Sequence, residues 1–123
     1  MVIRDGVLLN GRGHAGPVLY HNYTLGHAND LSGNDHNGTV SGATFTDEGL
    51  FFDGLNDYVL VSDDLDLRIS QELTIIVTIK APNSLSGMSL LSKDYTGEFD
   101  LTFWSNKLNF YWGGISYNLS LIH

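Results

Sequence analysis

Residues 72–80, "ELTIIVTIK", place Leu73, Ile75, Val77 and Ile79 on one side of an extended chain and Thr74, Thr78 and Lys80 on the other. Successive side chains of a strand point to opposite faces, so this period of two, carried by β-branched residues, predicts a strand with one buried face. "EFDLTFW" (98–104) repeats the pattern with Phe99, Leu101 and Phe103 inward, and "KLNFYW" (107–112) with Leu108, Phe110 and Trp112. "YNLSLI" (117–122) does so with Tyr117, Leu119 and Leu121. "GLFFD" (49–53) and "DYVLVS" (57–62) stand on either side of a turn at 54–57, and fourteen glycines punctuate the runs. No stretch carries a helical period of 3.6 with caps. Many short strands separated by turns predict an all-β chain, an antiparallel sandwich or barrel.

Composition bounds the partners. A length of 123 residues suits one domain, and 42% hydrophobic residues suffice for a core. Six basic residues against fourteen acidic ones leave a net charge of −8 with no basic stripe, which argues against nucleic acid as a partner. With no cysteine there is neither a disulfide framework nor a thiolate metal site. No apolar run approaches the roughly 18 residues of a membrane span. Residues 1–16 lack a secretory h-region ending in small residues, so no signal peptide is visible. The sequons at Asn22, Asn37 and Asn118 read as chance occurrences in that setting. Residues 1–17, with two of the three arginines and four glycines before Pro17, read as an N-terminal arm or as a first strand at a sheet edge followed by a linker. Residues 18–123 form the remaining domain.

Residues 29–42, "NDLSGNDHNGTVSG", contain no apolar run and no Lys or Arg. Asp30, Ser32, Asn34, Asp35 and Asn37 crowd oxygen donors into one short loop, the ligand chemistry that calcium requires. Counted from Asp30, the sixth and twelfth positions are Asp35 and Ser41, not the glycine and glutamate of an EF-hand. The same residues also favour tight turns for backbone reasons alone. His36 reads as a solvated loop histidine, since one histidine alone makes no zinc site. Asp63, Asp64 and Asp66 in "SDDLDL" read as a solvated acidic turn, with a second cation patch as the alternative.

Three segments in this order, "HANDLSGNDHNGTVSGATF" (27–45), "FFDGLNDYVLVSDDLDL" (51–67) and "ELTIIVTIKAP" (72–82), resemble the concanavalin A-like, laminin-G-like jelly-roll family over roughly residues 18 to 113. The resemblance implies a two-sheet antiparallel jelly roll, frequent calcium binding, and use as a glycan-binding or adhesive module. It makes Asp30 and Asn34 the carried-over calcium ligands, with Asp35 and Asn37 beside them. The chain departs from the family in two ways. It lacks the tryptophan expected near Thr78, and it stops at "GISYNLSLIH" where the family continues with further strands and a second metal-site aspartate. The expectation is therefore a jelly roll lacking its last strands, with Leu119 and Leu121 uncovered and other protein chains completing the sandwich.

Some glucanases of this fold carry three carboxylates along one strand face. Here Glu98 and Asp100 are in place but the next position on that face is Thr102, so the acid/base pair of glycoside hydrolysis is incomplete and no enzyme is expected. Neither a Gly-x-Ser-x-Gly elbow nor a phosphate-cradling loop occurs. Tyr95, Trp104 and Tyr111 fall outside the inward parity and are the candidates for stacking on a sugar, against the alternative of ordinary cross-strand pairs. Three functions follow as expectations: a non-catalytic carbohydrate-binding or adhesion module at an extracellular or virion surface; a structural component of a larger assembly such as a virion decoration or tail protein; and, disfavoured, a glycoside hydrolase.

Overall fold

A computed structural model describes residues 1–10, 16–69, 72–82, 87–93, 99–105, 107–112 and 115–119. It is all-β, with every strand pair antiparallel and no α-helix among the described residues. The chain divides into two compact units, Met1–Lys80 and Ala81–His123. No helix among the described residues is long and apolar enough to cross a membrane.

The first unit is organised around β1 (Val2–Asn10). Along one side β1 pairs with β7 (Leu73–Lys80), and along the other with β2 (Pro17–Asn22) and, at Val2 and Ile3, with β5 (Gly49–Phe51). β4 (Thr44–Thr46) continues the sheet from β5. Residues 2–10 are thus an interior strand rather than an edge strand, because the alternation of Val7 and Leu8 with their neighbours is matched by ladders on both sides. β3 (Gly38–Ser41) and β6 (Tyr58–Val61) form a separate two-stranded ribbon. The segments flanking the 54–57 turn therefore do not pair with each other: β5 joins β1 and β4, while β6 joins β3.

The period of two in β7 is realised as read. Leu73, Ile75, Val77 and Ile79 are half-buried, and Thr74, Ile76, Thr78 and Lys80 are exposed. The core of the unit gathers Ile3, Leu8, Val18, Leu19, Leu50, Leu67 and Ile69, together with Tyr23 and two histidines, His21 and His36. Glycine is required where strands approach closely. A Cβ on Gly38 would lie 2.6 Å from Val59 Cγ1, closer than Cβ atoms come to their neighbours, and 3.1 Å from both Ala28 Cβ and His21 Cε1, so the surroundings would have to give way.

The second unit is a four-stranded meander in the order β11-β10-β9-β8, made of β8 (Met88–Lys93), β9 (Phe99–Trp104), β10 (Lys107–Trp112) and β11 (Ile115–Leu119). Phe99, Leu101 and Phe103 point to its buried face, as their parity requires. Lys107 pairs with Trp104, Asn109 with Thr102 and Tyr111 with Asp100, so these six residues share the opposite face. Ser105, which follows β9, has φ of 52°. Leu121 lies outside the described residues, as do Tyr95 and Glu98.

Candidate functional site

The loop between β2 and β3 is built around one carboxylate. Asp30 Oδ1 accepts the backbone N–H of Tyr20 and of Ser32, both at 2.9 Å. Its Oδ2 accepts the Ser32 hydroxyl at 2.7 Å and the His36 N–H at 3.0 Å. A carboxylate has about four lone-pair sites, and here all are filled by the protein. Burial pushes the Asp30 carboxyl upward. The hydrogen bonds from Tyr20, Ser32 and His36 outweigh it and hold the group below its ordinary range.

The neighbours are committed in the same way. Asn37 Oδ1 accepts the Asp30 N–H at 2.8 Å, and the Asn34 amide donates to the Pro17 and Val18 carbonyls and to Ser32 Oγ. Asp35 is exposed and has φ of 61°. That is the left-handed region, which aspartate tolerates better than most residues. The oxygen-rich loop thus folds as a self-satisfied turn, in which Asp30, Asn34 and Asn37 direct polar groups to the loop's own backbone.

That turn carries His36 inward, so it is not the solvated histidine that its polar setting suggests: it is 5% exposed. Its carbonyl accepts Nε2–H of His21 at 2.8 Å, and His21 Nδ1 lies 3.2 Å from the Tyr23 hydroxyl. Because a carbonyl can only accept, His21 carries its proton on Nε2 and Nδ1 takes the tyrosine proton donor. Burial lowers the pKa of His21, against the opposing pull of the His36 carbonyl and the Asp30 charge. Burial pushes Tyr23 up to about 12. Both groups are therefore neutral near pH 7.

His36 Nε2 is buried and has no hydrogen-bond partner, an arrangement that costs roughly 1–3 kcal/mol where it persists. It faces a short 3-10 turn at Leu65–Leu67, and its nearest charged atom is Asp66 Oδ2 at 3.5 Å. Asp64 caps that turn by accepting the Asp66 N–H on Oδ1 at 3.1 Å. One nitrogen of His36 and one oxygen each of Asp64 and Asp66 all lie within 4.8 Å of one another. Asp63 turns instead to Arg68, at 2.8 Å. The acids of 63–66 therefore do not act as one patch: two of them converge on a buried imidazole 28 and 30 positions earlier in the chain. Spacing offered no signal for this, since the three residues belong to segments joined only by tertiary packing.

The second feature is the open face of the β8–β11 sheet. Trp104 is 64% exposed and Tyr111 43%. Thr102, which donates to the Met88 carbonyl, lies between them, and Asp100, which accepts the Ser89 hydroxyl at 3.0 Å, stands beside Tyr111. Asn109 is buried within this polar floor and donates to the Lys107 carbonyl at 3.1 Å. Tyr111 stands opposite Asp100, four positions along β9 from Trp104. At roughly 3.4 Å per residue the two positions are about 14 Å apart along the strands.

Fold and sites together define an all-β chain with a buried-histidine carboxylate cluster in one unit and an aromatic-flanked polar face in the other. No protein-family model, no curated protein and no solved structure matches it.

Proposed function

We propose that this chain is a non-catalytic carbohydrate-binding or adhesion module of the laminin-G-like, concanavalin A-like jelly-roll type, acting at an extracellular or virion surface. The observation that carries the reading is the exposed pair Trp104 and Tyr111 on one sheet face, with Thr102 and Asn109 on the rung between them and Asp100 and Ser89 alongside. Flat aromatic rings receive the C–H faces of pyranoses, and short polar side chains take their hydroxyls. Platforms about 14 Å apart suit an oligosaccharide of several units rather than a single sugar. In this reading the Asp30 loop is first a structural turn, since the Asp30 carboxylate and Asn37 Oδ1 already accept the loop's own donors, and calcium would have to compete with those bonds.

Oligosaccharide-array binding by the full chain is the test. We expect a ligand whose affinity falls about thirtyfold in Trp104→Ala, the effect of removing a roughly 2 kcal/mol aromatic contact. Absence of any oligosaccharide ligand, or binding that survives both Trp104→Ala and Tyr111→Ala, overturns the reading. A second reading, a structural component of a larger assembly, draws on the exposed Leu55, Leu60 and Leu65 of the first unit. A fixed oligomer in light scattering with no glycan bound would favour it.

A further inference from the structure

We propose that His36, Asp64 and Asp66 bind a divalent transition-metal ion of the zinc class. The site lies wholly within Met1–Lys80 and does not rest on the glycan reading. Two exposed aspartates on a turn are common without any ligand. What distinguishes this pair is the third group: a buried imidazole nitrogen, without a hydrogen-bond partner, directed at their carboxylates. A buried polar atom with no partner calls for a specific explanation, and an unseen ion is one of the few available.

The geometry suits a small cation. Zinc binds imidazole nitrogen and carboxylate oxygen at about 2.0–2.1 Å with tetrahedral angles, so its ligand atoms stand about 3.4 Å apart. His36 Nε2 and Asp66 Oδ2 are 3.5 Å apart. The longest separation in the group is within 4.8 Å, and the carboxylates that must close it are on exposed side chains, with Asp66 47% exposed. The nitrogen itself is held. Its residue is anchored by the His36 N–H on Asp30 and by His21 Nε2–H on the His36 carbonyl, the kind of outer-shell support that orients a metal ligand. Asp64 Oδ1 is engaged in capping the turn, which leaves Oδ2 available as the ligand atom. An imidazole with two carboxylates favours zinc, cobalt or nickel over calcium, whose sites are built from six to eight oxygens. Three protein ligands leave a coordination position open to water or to a further donor.

The test uses the full chain, titrated calorimetrically with zinc and followed with cobalt by its visible d–d absorption. We expect a single site per chain, a cobalt band characteristic of nitrogen–oxygen ligation, and no competition by millimolar calcium. Loss of an outer-shell partner alone weakens metal sites roughly 10–100-fold, so loss of a ligand in Asp64→Asn or Asp66→Asn should weaken zinc at least tenfold. Asparagine retains the capping oxygen at 64, and both positions are exposed, so these variants perturb the fold less than a change at the buried His36. Asp47→Asn, on an exposed turn elsewhere, should leave binding unchanged. No zinc binding by the wild type, unchanged affinity in either Asp64→Asn or Asp66→Asn, or calcium bound as tightly as zinc overturns the proposal.

Discussion

Asp30→Asn is the substitution that most directly tests the account of the β2–β3 loop. Asparagine is nearly isosteric, and its Oδ1 keeps the Tyr20 and Ser32 N–H donors. Its Nδ2 then meets the His36 N–H, donor against donor, where the carboxylate accepted at 3.0 Å. The Ser32 hydroxyl can rotate and accept, so one contact is lost outright and three drop from charge-assisted to neutral. A stranded donor costs about 1–3 kcal/mol, and a charge-assisted hydrogen bond exceeds a neutral one by about 1 kcal/mol. These terms total about 4–6 kcal/mol; Asp30 is half-buried, and water recovers more than half of this, which leaves about 2 kcal/mol. For a unit of this size that lowers Tm by roughly 8 °C or more.

The pH dependence gives a second readout. The folded-state pKa of Asp30 lies below the ordinary 3.8. Its contribution is therefore complete well above pH 3.8 and is lost as the pH falls through the folded value. The stability gap between wild type and Asp30→Asn should be constant near neutrality and narrow in acid, where the wild-type carboxyl also becomes neutral. Urea unfolding followed by far-ultraviolet circular dichroism measures both quantities. A variant within about 0.5 kcal/mol of wild type, or a gap of the same size in acid, would refute the reasoning.

Gly38→Ala should cost roughly 1–3 kcal/mol by overpacking against Val59, Ala28 and His21, while Gly6→Ala, which meets nothing within 4 Å, stays within about 0.5 kcal/mol; equal unfolding midpoints for the two variants would contradict the packing described. His21 has a folded pKa below 6.5, so its neutral form is the one the fold selects. Stability should therefore be full above pH 6.5 and decline as the pH drops toward the folded value, because the unfolded chain takes up the proton first. Nitrogen NMR of the ring should show the Nε2–H neutral tautomer persisting below pH 6.5, and a half-protonated ring at that pH would count against it.

The strands were legible in the sequence wherever one face is buried. Leu73, Ile75, Val77 and Ile79 alternate with exposed neighbours, and Phe99, Leu101 and Phe103 occupy the buried face of β9, because strand geometry turns a period of two directly into two faces. Trp104 and Tyr111 were likewise placed outside the core by parity alone. The turn at 29–37 was legible as a turn, since Asp, Asn, Ser and Gly favour such backbones locally.

Ladder partners were not legible. Nothing in residues 2–10 says that β1 lies between β2 and β7, nor does the 54–57 turn reveal that β5 and β6 join different ladders. Alternation fixes which face a side chain takes, and several strands of similar alternation can satisfy the same edge. His36 is the sharpest case. By composition its loop is solvent-facing, yet Asp30 clamps the His36 N–H and His21 holds its carbonyl. The ring is thereby carried into the interior, where Asp64 and Asp66 meet it from a turn far along the chain. Burial and convergence depend on which distant segments pack together, and only the tertiary structure sets that, because it is the whole chain's exclusion of water, and not any local period, that decides which segments meet.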